Sequence, residues 1–344
     1  MTRIINIFLS IGLIFNILTA DVAAVDISFL DLPLNSSSAS LGNTFLSDLG
    51  NPSNLLLNPS NIWFGDRVNP NKTLFKRIFL RSSLSNYQII GNDYFNIMGS
   101  FQFGNGITIG GGYIGINQSD IEHYDNNANY LGEISHNQKA YVMGSAIRIS
   151  GINIGMSGAY IETDFSKLNG YGEQDAILVS SIGLSMINKS INIEKEELWA
   201  QILIPTKISL HVLSRNIVSD ISTNISIAKN SLYRNVIGFR FDNDIQASGL
   251  KIPTYFLVDY KSNNGFTNEV IDLGWGVNNL FDLSGDLGIG DLSFNMGIQN
   301  LSFNQFSWGL NYSVFDFIVG YASIGNAWGG QTSVLSFKYF YDKN

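Results

Sequence analysis

From Lys76 to Tyr341 the chain alternates apolar and polar positions with a period of two, in short segments separated by Gly, Asn, Asp and Ser. A period of two sends successive side chains to opposite faces of a strand. The alternation predicts fourteen strands, at 76–88, 92–103, 106–117, 138–149, 152–163, 175–187, 206–215, 232–242, 252–262, 268–279, 291–300, 303–312, 315–323 and 331–341. In 292–299, Leu292, Phe294, Met296 and Ile298 share one face, and Ser293, Asn295, Gly297 and Gln299 the other. In 303–312, Phe306, Trp308, Leu310 and Tyr312 oppose Gln305, Ser307, Gly309 and Asn311. In the last segment Leu335, Phe337, Tyr339 and Tyr341 oppose Val334, Ser336 and Lys338.

Size decides which face is outside. Side chains fill a barrel of about eight strands, not one of fourteen. The apolar faces then have no core to enter and must meet lipid, while the polar and small faces line a lumen. The expected fold is all-β, a transmembrane antiparallel barrel spanning 76–341 with a 342–344 tail. With a periplasmic C-terminus, 104–105, 150–151 and 313–314 fall as tight periplasmic turns, and 118–137, 164–174, 216–231 and 324–330 as outer loops. Short inner turns and long outer loops are the rule for such barrels. The connections 188–205, 243–251 and 280–290 depart from it.

Residues 1–24 read as a secretory signal peptide, with Arg3, an apolar stretch from Ile4 to Leu18, and Val22-Ala23-Ala24 at the cleavage point. After it no run of 18 apolar residues occurs, so entry into a membrane requires a closed barrel. Residues 25–75 do not alternate. Their turn signals are Leu41-Gly42-Asn43, Asn51-Pro52-Ser53 and Asn58-Pro59-Ser60. Among them lie Phe29, Leu30, Leu41, Phe45, Leu55, Leu56, Leu57, Ile62 and Trp63. Apolar, irregular backbone that cannot extend a ladder at Pro52 or Pro59 suits a plug packed inside the barrel.

Composition narrows the chemistry. Charged residues make up 14% of the 344, against about 25% in soluble domains. The absence of cysteine excludes disulfides and thiolate sites. A formal charge of −8 excludes nucleic acid as a partner. His123 and His136 lie with Asp120, Glu122, Asp125 and Glu133 at no metal-ligand spacing, and read as a solvated acidic loop. Gly110-Gly111-Gly112 lacks the Lys-Ser or Lys-Thr of a phosphate loop. No Ser-His-Asp arrangement can be drawn, so no enzyme, metal or cofactor is expected. Arg148, Arg234 and Arg240 fall on polar faces. They are expected to pair with Asp242, Asp272, or the plug carboxylates Asp31 and Asp48, and so to hold the plug; the alternative is a site for a substrate headgroup.

Phe29-Leu30, Leu41-Gly42, Thr44-Phe45, and Asn58-Pro59 with Ile62 carry a resemblance. The segment is similar to the mature N-terminus of the PorV/PorQ group of outer-membrane proteins and, more distantly, of the FadL-like long-chain fatty acid transporters. Ser60 and Asn43 depart from the family's usual Ala and Gly. The aromatic last strand resembles the C-terminal signal read by the barrel assembly machinery. The resemblance implies residence in lipid of the bacterial outer membrane. PorV/PorQ implies a role in type IX secretion, with secretion components or cargo as partners. FadL implies passage of hydrophobic small molecules past an N-terminal hatch. A secreted β-rich adhesive protein is the third reading.

Overall fold

In a computed structural model of the chain, the alternating segments join into one closed antiparallel barrel. The structure describes residues 32–45, 50–63, 78–89, 92–103, 107–118, 121–124, 130–134, 136–165, 173–190, 204–220, 235–247, 250–262, 269–282, 290–301, 305–325 and 331–342. The strands are β1 (Ile78–Ile89), β2 (Asn92–Phe103), β3 (Ile107–Gln118), β4 (Ile121–Tyr124), β5 (Tyr130–Ile134), β6 (His136–Ile149), β7 (Ile152–Phe165) and β8 (Glu173–Ser190). They continue as β9 (Lys207–Asp220), β10 (Asn235–Ala247), β11 (Leu250–Ser262), β12 (Glu269–Asp282), β13 (Asp291–Ile298), β14 (Phe306–Val314), β15 (Phe317–Gly325) and β16 (Gln331–Asp342). Fourteen form the barrel, each beside its neighbour in the chain, and β1 closes on β16. β4 and β5 form a separate hairpin between β3 and β6.

Burial follows the two-residue period. On β16, Leu335 and Phe337 are 57% and 44% exposed, whereas Val334, Ser336 and Lys338 are 0–1% exposed. On β14, Phe306, Trp308 and Leu310 face out and Ser307 faces in. The outward face carries apolar side chains on strand after strand, among them Phe95, Ile109, Met143, Ile237, Phe256 and Phe317. A patch of that extent far exceeds the few hundred Å² a soluble monomer exposes. Most barrel strands exceed the 9–11 residues that cross a bilayer on a tilt. Lipid is the solvent that this surface fits, and the fold is a transmembrane barrel of outer-membrane type.

Several connections differ from the expectation. The β14–β15 turn lies at Phe315–Asp316, not 313–314. A two-residue shift preserves which face is inside. The connection expected at 243–251 shrinks to 248–249, because β10 runs to Ala247 and β11 begins at Leu250. These strand ends carry Asn243, Asp244, Gln246 and Lys251; the hydrophobic requirement lapses there, so pairing continues after the alternation stops. Likewise β8 continues to Ser190 through a register shift between Met186 and Lys189, and β12 to Asp282 through one between Val277 and Phe281. The connection 118–137, expected to be an outer loop, contains the β4–β5 hairpin. The signal peptide and the 104–105 turn lie outside the described residues.

Candidate functional site

The N-terminal segment is folded on itself inside the barrel. A short helix, Ser36–Ser40, is capped by Asn35, whose side chain accepts from the Ser38 amide at 2.9 Å. A second, Asn54–Leu57, runs into a 3-10 turn, Pro59–Ile62. Pro59 suits the first helical position, where no amide is required. Asn58 caps the turn, accepting from the Ser60 amide at 3.1 Å and the Ser60 hydroxyl at 2.7 Å. The second half closes on itself through Gly50 donating to the Asn61 carbonyl at 2.7 Å, and the two halves are tied by Asn35 Nδ2 donating to Ser53 Oγ at 2.9 Å and Asn61 Nδ2 donating to the Phe45 carbonyl at 3.3 Å. Except for Leu32, every described residue of 32–45 and 50–63 is buried.

Its contacts circle the lumen. Asn96 of β2 donates to the Leu34 carbonyl at 2.9 Å. Beyond β1, Ser36 hydrogen-bonds Ser336 of β16 and Asn311 of β14, and Lys338 of β16 donates to Ser37 Oγ at 2.8 Å. Ser307 of β14 donates to the Ser40 carbonyl at 3.1 Å, and Asn295 of β13 to Ser40 Oγ at 3.2 Å. On β6, the Arg148 guanidinium lies 4.5 Å from the centre of the Trp63 ring.

Backbone seats directly on backbone because the wall carries glycine at the contacts. A Cβ on Gly155 would strike the Pro59–Ser60 peptide, one on Gly297 the Leu41–Gly42 peptide, and one on Gly183 the Asn58 side chain. Gly42 itself has φ +68 and would place a Cβ 2.6 Å from the Leu273 carbonyl oxygen, so only glycine fits. Asn43, at φ 62, is the next most tolerant type in that region.

A charged cluster surrounds Phe45. Its amide donates to Asp259 Oδ2 at 2.5 Å. Lys261 Nζ lies 4.2 Å and the Arg215 guanidinium 5.4 Å from the centre of its ring. Lys261 also donates to the Asn43 carbonyl at 2.6 Å and pairs with Asp272 at 2.8 Å, while Arg215 donates to the Leu56 carbonyl at 2.6 Å. His211 Nε2 meets Asp259 Oδ1 at 3.1 Å across β10. Adjacent strands stand about 4.8 Å apart, so this contact spans two spacings. Gly238 lies in register between them, and a Cβ there would overlap both. Asn58 Oδ1 already accepts from Ser60, so its Nδ2 donates to His211 Nδ1 at 3.3 Å. That leaves the His211 proton on Nε2, facing Asp259.

The opposite side of the lumen is apolar. Met98, Ile114, Val142, Ile161, Ile177 and Val179 turn inward and cluster with Leu55, Leu56, Leu57 and Ile62. Period-two patterning does not reveal this, since these strands are apolar on both faces.

Of the residues singled out by sequence, Leu41, Gly42, Phe45, Asn58, Pro59 and Ile62 lie in this buried segment. Phe29, Leu30, Arg234, Asp31 and Asp48 lie outside the described residues. Arg240 pairs with its strand-mate Asp242 at 2.9 Å and stacks 4.2 Å from the centre of the Tyr255 ring. Asp272 binds Lys261 and accepts from the Asn300 amide at 2.8 Å. Sequence reading passed over Arg215, Lys261, Asp259 and His211 as segment contacts. Their shared parity with Leu213 and Leu257, both inward, was the available signal. His123 lies on β4 and His136 begins β6, with their side chains outside the described set; among described residues no group of three His, Cys, Asp or Glu gathers.

No protein-family model matches the chain, and no curated protein matches it. Among solved structures it is similar to the toluene transporter TodX of Pseudomonas putida, at 10% identity and TM-score 0.47, over 90% of this chain and 98% of that one. A FadL homologue of Pseudomonas aeruginosa aligns at 8% identity and TM-score 0.44, over 94% and 100%. CdiB of Acinetobacter baumannii aligns at 8% and 0.41, over 77% and 60%. Likeness at this level is one of general form and decides nothing about what passes through or docks on this chain.

Proposed function

We propose that this chain is an outer-membrane channel whose N-terminal segment is a hatch, closing a passage for hydrophobic small molecules. The observation that carries the reading is the seat of residues 32–45 and 50–63: hydrogen-bonded around the lumen, held by no covalent cross-link, and packed on one side against an apolar wall. Filling a lumen with a segment tied by separable contacts makes an openable barrier, because a neutral hydrogen bond contributes about 0.5–1.5 kcal/mol net and one to a charged group about 1.5–3 kcal/mol. The apolar wall of β2, β3 and β6–β8 is the surface a hydrophobic solute would follow.

Removing 29–62 while keeping the signal peptide tests it. The truncated barrel should assemble, conduct in planar bilayers, and admit a hydrophobic fluorescent probe into vesicles faster than the full-length chain. A truncated barrel that assembles and does neither removes the hatch. The matches at Phe29-Leu30, Leu41-Gly42 and Asn58-Pro59 favour a second reading, a PorV/PorQ-like component of type IX secretion. Loss of cargo secretion on deletion of the chain, with unchanged probe entry, would select it. A soluble adhesive protein has nothing to cover the outward apolar face; release from membranes by carbonate washing would revive that reading.

A further inference from the structure

We infer that His211 makes the hatch proton-sensitive: uptake of a proton there releases the segment, so opening rises as the medium acidifies. The inference rests on the hatch reading and adds its regulation. His211 is fully buried on β9, with the Phe45 ring edge-on to it at 6.4 Å between centres. Its two ring nitrogens face opposite kinds of group. Nε2 meets the Asp259 carboxylate at 3.1 Å, and Nδ1 meets Asn58 Nδ2 at 3.3 Å. The Ser60 backbone amide can only donate, so the Asn58 atom it meets at 3.1 Å is the oxygen, and Nδ2 is left to point at Nδ1. An amide nitrogen offers protons and accepts none. The closed state therefore requires a bare Nδ1 and a neutral ring.

A second ring proton has to enter at Nδ1, where it would face the Asn58 amide protons, donor against donor. Turning the amide over would bring its oxygen to His211 but strip the Ser60 amide of its acceptor. The side chain cannot slip towards β8, where it lies so close that a Cβ on Gly183 would overlap its oxygen. Displacing the segment takes Asn58 away and lets Nδ1–H donate to water. Protonation and seating thus oppose each other, and linkage makes the effect reciprocal. The surrounding charges do not reverse the sign, because they belong to the wall and stay when the segment moves. Asp259 on β11 faces the ring in both states, and opening frees it from the Phe45 amide. Lys261 on β11 pairs with Asp272 on β12, and Arg215 lies further along β9. In register with His211, β10 presents Gly238 and β8 presents Ser185, both uncharged; Arg240 of β10 is held by Asp242. The one ionisable residue of the segment between 32 and 63 is Asp48, outside the described residues.

The test is single-channel recording of the full-length chain in planar bilayers at about pH 7.5 and about pH 5, the range in which an imidazole changes charge. Openings should be about tenfold more frequent in acid, the population change that one unsatisfied buried donor commands. His211→Gln, which takes up no proton, should lose that difference. Asn58→Asp keeps an acceptor for Ser60 and offers His211 a second oxygen where the amide nitrogen was, so it should cancel the acid rise or invert it. A merely structural contact would leave the rise in place. Wild-type openings equally frequent at the two pH values, or an acid rise that survives in either variant, overturn the inference. The hatch then still stands if Gly155→Ala/Gly297→Ala, which presses on the segment from two sides, opens at both pH values. Should His211→Gln fail to assemble, Asn58→Asp decides alone. Absence of openings in every preparation at both pH values removes the hatch, and this inference with it.

Discussion

The glycine seats give the sharpest test of the hatch. A Cβ on Gly155 would lie 2.5 Å from the Pro59 carbonyl oxygen, and one on Gly297 would lie 2.8 Å from Gly42 Cα. Ordinary carbon contacts are about 3.5–4.0 Å, so the segment must retreat by roughly 1 Å at each point. The wall cannot retreat instead, since β7 and β13 are paired on both sides. Overpacking of this kind costs about 1–3 kcal/mol per site. The two seats meet separate parts of the segment, so the costs add to about 2–6 kcal/mol. Each 1.4 kcal/mol is about tenfold in a population, so the displaced state should rise at least tenfold. Gly158→Ala is the control, because its Cβ would meet nothing nearer than the Val179 carbonyl at 3.9 Å. Heat-dependent gel mobility reports an intact barrel and single-channel recording reports opening. If Gly155→Ala/Gly297→Ala opens no more often than Gly158→Ala, with both barrels intact, the segment is not a displaceable closure.

Lys261→Met removes the cation from Asp272, the Asn43 carbonyl and the Phe45 ring at once; breaking one partner of a buried pair costs about 3–5 kcal/mol, and frequent openings in bilayer recordings should result. Asn58→Ala deletes the Ser60 cap and the His211 contact, a loss of about 0.5–2 kcal/mol for the cap, and should give a weaker, flickering form of the same recordings. Leu335→Arg places a charge on the lipid face and costs about 2–4 kcal/mol near the midplane; membrane-inserted protein should fall, whereas Ser336→Arg, which meets Ser36 in the lumen, should leave insertion intact and loosen the segment. Equal insertion of the two variants would reverse the assigned faces. Replacing 120–134 by a Gly-Ser linker removes β4 and β5, which pair only with each other among described strands, and should leave heat-stable barrel on gels unchanged.

The sequence by itself determined the barrel. Period-two alternation is a local property, and lipid on one side enforces it residue by residue, so Leu335 against Ser336 and Trp308 against Ser307 are legible without any partner strand. Strand ends were less so at Asn243–Lys251, because beyond the lipid no solvent enforces the pattern and only pairing keeps the strand going. The apolar, turn-rich character of 29–63 also marks it, in the sequence alone, as an irregular piece that needs burial. What only the tertiary structure decided is how that piece is held. The contact of His211 with Asp259 reaches across β10 over Gly238, and residues 48 positions apart meet only because the wall curves round and leaves that gap. Lys261 and Arg215 look like ordinary strand cations in the chain. They become the cage of Phe45 because closure of fourteen strands turns them to the same interior space, a long-range consequence that no local period encodes.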